Sequence, residues 1–170
     1  MIIKKPIDTL TVMNELVLPN DTNTLNNLMG GRLLHWMDIC SAIAAQKHSN
    51  RIVVTAAVNN VSFEKPVKLG DVLHIEAKVT RTFNSSMEVH MKVHAENIPS
   101  GSRVKCNEAF YTFVAVDQTG RPINVPSIEP ETEEEKALFA GALRRRQLRL
   151  ILAGKLNPKD ASELKSLFDS

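Results

Sequence analysis

NNLMGGRLLHWMDICSAIAAQ, residues 26–46, begins around a glycine pair, Gly30 and Gly31, and then runs apolar over most of the circumference of a helix. From Gly30 to about His48 there is no proline, and Leu33, Leu34, Trp36, Met37, Ile39, Cys40, Ala42, Ile43, Ala44 and Ala45 leave no wide polar stripe. A helix apolar nearly all round has to be enclosed by other structure. Yet this one carries a single acid, Asp38, in its middle, where a charge is costly to bury.

Outward from that helix the chain reads as strands. In VLHIEAKVT (72–80), Leu73, Ile75, Ala77 and Val79 alternate with His74, Glu76, Lys78 and Thr80. MEVHMKVHAE (87–96) does the same, with Met87, Val89, Met91, Val93 and Ala95 against Glu88, His90, Lys92, His94 and Glu96. Period-two alternation predicts strands buried on one face. FNSS (83–86) joins the two as a hairpin, and VKLGD (67–71) and IPSGS (98–102) supply neighbouring turns. Further strands are predicted at 11–18, 51–65 and 104–117. A run of antiparallel strands and one apolar helix have few ways to satisfy each other: the sheet curls around the helix.

Beyond Pro126 the composition changes. Thr132 with Glu135 three places on forms a capping box, acids fill the first turn, and arginines follow towards the far end, which predicts a surface helix of about six turns closed by Gly154. Asn157 and Pro158 then cap a short second helix. The chain therefore divides into a body at 1–128 and a helical extension at 129–170.

With 170 residues, 43% of them apolar, the chain supports one real core, and a formal charge of +2 is far from the excess of a general nucleic-acid binder. Cys40 and Cys106 lie in apolar segments without metal-ligand or CxxC spacing, which suits buried thiols in a reducing compartment. No stretch reaches the ~18 continuous apolar residues of a membrane span, and the N-terminus lacks the apolar core of a secretion signal. The expectation is a soluble cytoplasmic protein without nucleic-acid or membrane partners.

The chemistry gathers on the helix. The first amides of a helix lack intrahelical partners and together carry roughly half a positive charge. Gly30 and Gly31 leave theirs unshielded by any Cβ, as an oxyanion site requires. Asp38 lies almost two turns past Gly31, about 10 Å along the axis, so one helix cannot bring both to one reacting centre. Two copies antiparallel across a two-fold axis can, and two shared sites follow. The simpler reading of Asp38 is a buried acid neutralised by a neighbour such as His35.

DTNTLNNLMGGRLLHWMD (21–38), VVTAAVNNVSFEKPVKLGD (53–71) and EAFYTFVAVDQTGRPINVP (108–126), in that order and spacing, resemble the cytosolic acyl-CoA hydrolase group of hotdog-fold acyl-CoA thioesterases. The resemblance implies an α+β hotdog fold, a curved antiparallel sheet wrapped around a long central helix, here with a C-terminal helical extension. It also implies a homodimer at least, with a hexamer built as a trimer of dimers, hydrolysing acyl-CoA to free acid and coenzyme A. Coenzyme A enters as part of the substrate, and no other cofactor or metal is implied. Asp38 matches the family's catalytic carboxylate, Asn27 the polar position that works with it from the partner subunit, and Gly30 and Gly31 the backbone that receives the thioester oxygen. Where many relatives have glycine this chain has Asn26, the side chain that best tolerates a left-handed backbone.

Several weaker candidates remain. Thr55 and Asn60 follow the helix on the next strand and line an acyl tunnel in this reading. Ser85 and Ser86 are in reach of coenzyme A from their hairpin, and Arg144 and Arg145 in RRRQLR (144–149) are candidates for its phosphates. His90 and His94 share one outward strand face rather than a metal site. Two other readings of the same fold are an acyl-thioester dehydratase, for which no strand histidine is suitably placed, and a non-catalytic acyl-CoA sensor.

Overall fold

A computed structural model describes residues 2–59 and 61–169. In chain order its elements are β1 (Ile3–Lys4), β2 (Thr11–Leu16), α1 (Gly30–Ser49), β3 (Ile52–Asn59), β4 (Val72–Phe83), β5 (Ser86–Asn97), β6 (Ser102–Val116), β7 (Ser127–Ile128), α2 (Glu133–Leu152) and α3 (Ser162–Lys165). The chain forms two compact units, one running to Glu129 and the other from Pro130.

In the first unit the five long strands form one antiparallel sheet in the order β2-β4-β5-β6-β3, curled around α1. The core is what the alternation predicts. Leu73, Ile75, Ala77 and Val79 from β4, Met87, Val89, Met91 and Val93 from β5, and Ala109, Tyr111, Phe113 and Ala115 from β6 are buried together with Met37, Cys40, Ala44 and Ala45 of α1. Bulges at Thr55/Ala57, Val79/Arg81 and Val93/His94 bend the strands.

The outward face departs from simple solvent exposure. Glu88 and His90 of β5 are buried there as deeply as the core. Thr80 donates to Glu88 Oε1 at 2.6 Å, and His90 Nε2 lies 2.5 Å from Glu108 Oε1 with its ring centroid 4.9 Å from that of Phe110. Polar side chains on this face satisfy one another, which is the condition for burying them. Glu108 also takes a hydrogen bond from Lys105.

The strand expected over 51–65 keeps its ladder only to Asn59; residues 61–67 cross from β3 towards β4 without sheet pairing. The turn at Phe83–Ser86 is a two-residue hairpin with Asn84 at φ +46°, as the twist of such a turn demands. At its far end α1 stops on left-handed Asn50, and His48 Nε2 meets the Pro126 carbonyl at 2.7 Å.

In the second unit Thr132 accepts from the Glu135 amide at 3.1 Å, so α2 begins at the predicted cap. Its end is a Schellman turn: Gly154 is left-handed at φ +72°, its amide bonds the Ile151 carbonyl and the Lys155 amide bonds the Leu150 carbonyl. The short helix expected next is split into one 3-10 turn at Pro158–Asp160 and the four residues of α3. Gln147 on α2 caps α3 by accepting from the Glu163 and Leu164 amides. Among the described residues no helix is long and apolar enough to cross a membrane.

Candidate active site

Asp38 sits midway along α1, half-buried on the flank that faces β3. Its Oδ1 accepts a 2.7 Å hydrogen bond from the Thr55 hydroxyl. Thr55 pairs across the ladder with Phe113 at the β3 bulge, so a distortion of the edge strand positions the donor. The partner of Asp38 is thus a strand threonine and not His35, which lies on the outer side of the helix. Tyr111 stands behind the acid: its phenol approaches the Leu34 carbonyl at 3.4 Å, and burial, with the charge of Asp38, pushes it up to about 12. A phenol held neutral beside a carboxylate does not compete with it for a proton at pH 7.

The approach to the helix is a laced loop. Asp21 is buried and holds three groups: its Oδ2 accepts from the Leu18 amide at 2.9 Å, its Oδ1 faces Arg32 Nε at 3.3 Å, and its carbonyl accepts the Met29 amide at 2.9 Å. Asn23 Oδ1 accepts from the amides of both Leu25 and Asn27, at 2.9 and 3.2 Å. The Asn23 side chain is exposed apart from these bonds. Asn26 adopts φ +59°, the left-handed conformation for which asparagine substitutes for glycine, and its carbonyl accepts from Leu69. Leu28 donates to the Val67 carbonyl at 2.7 Å, tying the loop to the segment that leads into β4.

This lacing delivers the chain to Met29, the N-cap of α1, whose side chain offers no capping acceptor. The amides of Arg32 and Leu33 donate to the Met29 carbonyl at 3.1 Å, while those of Gly30 and Gly31 receive no side-chain cap from Met29. The two glycines differ in surroundings. A Cβ on Gly31 would meet nothing within 4 Å, whereas one on Gly30 would lie 3.2 Å from Cζ of Phe63. Next to Gly31 a cleft of about 340 Å³ is lined by Met29, Arg32 and His35.

The remaining candidates distribute unevenly. The Ser86 hydroxyl donates to the Phe83 carbonyl, and the Ser85 carbonyl accepts from the Ala115 amide, so both serve the hairpin. Asn60 lies outside the described residues. Arg144 and Arg145 belong to the second unit, where Arg145 Nη2 donates to the Leu138 carbonyl at 2.6 Å. Ser41 turns its hydroxyl back to the Met37 carbonyl at 2.6 Å, and burial pushes the Cys40 and Cys106 thiols up to about 12 and 11. None of these three is an activated nucleophile. Sequence reading overlooked Asn23, Tyr111 and Phe63. Only Asn23 left a signal, since an asparagine two residues before an open amide is a standard side-chain turn.

A half-buried carboxylate oriented by a hydroxyl lies midway along α1, and a helix start held by the preceding loop lies almost two turns away on nearly the same face. Within one protomer the two groups do not meet at one point.

The profile of the thioesterase superfamily matches residues 25–102. Over 138 residues the chain is 41% identical to the uncharacterized acyl-CoA thioester hydrolase YkhA of Bacillus subtilis, spanning 81% of this chain and 80% of that one. Among solved structures, an apo-hexameric acyl-CoA thioesterase superposes with a TM-score of 0.87 at 41% identity, covering 90% of this chain and 98% of the other. An acyl-CoA hydrolase from Staphylococcus aureus, in complex with butyryl coenzyme A and coenzyme A, superposes at 0.83 with 34% identity, covering 91% and 96%. That hydrolase has also been solved with an aspartate, a threonine and an asparagine each replaced by alanine.

Proposed function

The chain belongs to the hotdog-fold acyl-CoA thioester hydrolases, and from that membership we propose that Asp38 drives thioester hydrolysis at a site completed by the glycine turn of a second copy. Asp38 takes a proton from water as the water oxygen attacks the acyl carbonyl carbon. The carbonyl oxygen, now negative, is held by the amides that open α1 around Gly30 and Gly31. The C–S bond then breaks, the thiolate of coenzyme A leaves and recovers the proton from Asp38, and the free acid remains. A thioester has a good leaving group, so a carboxylate and a preorganised anion site suffice for the chemistry.

The observation that carries this reading is the Thr55–Asp38 hydrogen bond. It holds one carboxylate oxygen, Oδ1, against a fixed donor on the edge strand while the side chain stays only half-buried. The edge at β3 supports a second copy. Ile52, Val54 and Val58 are exposed on the edge strand β3, which pairs on one side with β6, and Ile39 and Ile43 are exposed beside Asp38 on α1. An apolar face on an open edge is what a two-fold partner would cover.

The amide that works with Asp38 is assigned to Asn23. In the Staphylococcus aureus hydrolase the replaced asparagine precedes the replaced aspartate by fifteen residues, and the replaced threonine follows it by seventeen. Asn23 and Thr55 stand at those same intervals from Asp38. Asn27, the position taken from the resemblance, acts in this account through its backbone, which is bonded to Asn23 on both sides.

Incubation with palmitoyl-CoA while following free thiol tests the reading. Native protein is expected to release thiol, Asp38→Asn to lose at least about 10²-fold in kcat, and Asn23→Ala to lose far more than Asn27→Ala. Tight binding of palmitoyl-CoA without thiol release by the native protein would instead identify a sensor.

A further inference from the structure

Gly30 explains itself only through Phe63. The three protein atoms nearest to a Cβ built on Gly30 all belong to that one ring: Cζ at 3.2 Å, Cε1 at 3.5 Å and Cε2 at 3.7 Å. With Cζ nearest and both Cε atoms only slightly farther away, the Cβ position lies over one face of the ring at its Cζ end, so the ring turns a face to the helix start. Phe63 is nevertheless 57% exposed, an arrangement that burial of apolar surface does not account for. Its segment is anchored to the loop that precedes α1, because the Val67 carbonyl accepts from Leu28 and the Asn26 carbonyl accepts from Leu69. The ring and the glycine are thus held by one hydrogen-bonded frame, while Gly31 beside them has open space.

We propose that Phe63 is a positioning residue of the thioester site: its ring, one face packed on Gly30, walls one side of the amides that open α1 and leaves Gly31 as the open side by which the thioester carbonyl reaches them. This rests on the assignment of those amides as the anion site. A wall of this kind confines the carbonyl to one line of approach and keeps water off one side of the donors, both of which strengthen an anion site. It also gives the glycine at position 30 a specific reason. A methyl there would be tighter than ordinary contact and would push the ring away, although the amide itself would survive.

The geometry sets the experiment. Because Gly30 lies against a ring face near Cζ, Phe63→Tyr keeps that face in place and serves as the conservative variant, whereas Phe63→Ala removes it. Phe63→Ala, Phe63→Tyr and Gly30→Ala, and the double variant Phe63→Ala with Gly30→Ala, are assayed with palmitoyl-CoA beside Asp38→Asn, and each is checked by its melting temperature. Phe63→Ala is expected to lower kcat about tenfold, with KM within threefold and melting unchanged, and Phe63→Tyr to keep kcat within about threefold. The loss caused by Gly30→Ala is expected to shrink at least threefold when Phe63 is already alanine. Unaltered kcat in Phe63→Ala, a rise in KM alone, a loss in Phe63→Tyr equal to that in Phe63→Ala, or multiplicative losses in the double variant would overturn the proposal. Full turnover in Asp38→Asn would overturn the reading of the site itself, and loss there with an active Phe63→Ala variant would sink only the role of Phe63.

Discussion

Gly31→Ala should make the protein slightly more stable and much less active. A Cβ at that position meets no atom within 4 Å, and Gly31 is within the helix with ordinary helical backbone, so the new methyl costs no clash and no strain. Alanine loses less backbone entropy than glycine on entering a helix, a gain of about 0.5–1 kcal/mol in mid-helix and near the lower figure in a first turn. For a chain of this length that corresponds to a rise in Tm of roughly 1–2 °C. The same methyl stands over the amides that the carbonyl oxygen must reach, and a displacement of about 1 Å there costs on the order of 10²-fold in kcat. Scanning calorimetry at fixed protein concentration gives the first quantity and thiol release from palmitoyl-CoA the second. A variant with higher Tm and unreduced kcat/KM would refute the claim that the space above Gly31 belongs to the substrate. A fall in Tm would show that another part of the assembled protein already fills it.

Thr55→Val, which keeps the shape and removes the donor to Asp38, should lower kcat about tenfold with little change in melting, since the lost hydrogen bond is to a charged group at an exposed strand; Thr55→Ser should restore most of it. Folding stability should decline as pH falls below about 6.5, because burial holds the His48 imidazole below its ordinary value and the unfolded chain takes up the proton first. The effect is absent above that pH, and His94, lowered mainly by burial and then by Arg103 and Lys105, acts in the same direction. Urea midpoints at pH 7.5 and 5.5 measure the decline, and His48→Gln, whose amide can still donate to Pro126, should reduce it. Neither cysteine should react with a thiol reagent at pH 8 in the native protein, and both should react in guanidinium, because burial pushes their thiols up to about 12 and 11; labelling of the folded protein would contradict the packing of Cys40 against β2 and β4.

The sequence by itself determined the enclosure of α1 and the strands around it, because hydrophobic period is a local property: an all-round apolar helix and period-two strands admit one economical packing. It also marked Asp38 and the two glycines, since an acid on an apolar helix and a Cβ-free helix start are visible one residue at a time. Which group faces the acid was decided only in three dimensions. Thr55 reaches Asp38 because a bulge in the edge strand turns it there, and the stretch of sequence between them, a separation of 17 positions, carries no sign of it. Phe63 was unremarkable in a string of letters, and its meaning lies in the atom it presents to Gly30 across an interval bridged by hydrogen bonds between main-chain groups. Asn23 stood between these cases, its turn chemistry local and its bearing on the site dependent on how the loop is tied to the strand segment beside it. Patterns of burial are written along the chain because each residue carries its own hydrophobicity, whereas contacts between distant residues depend on register, bulges and loop closure, which are settled by the packing of the whole.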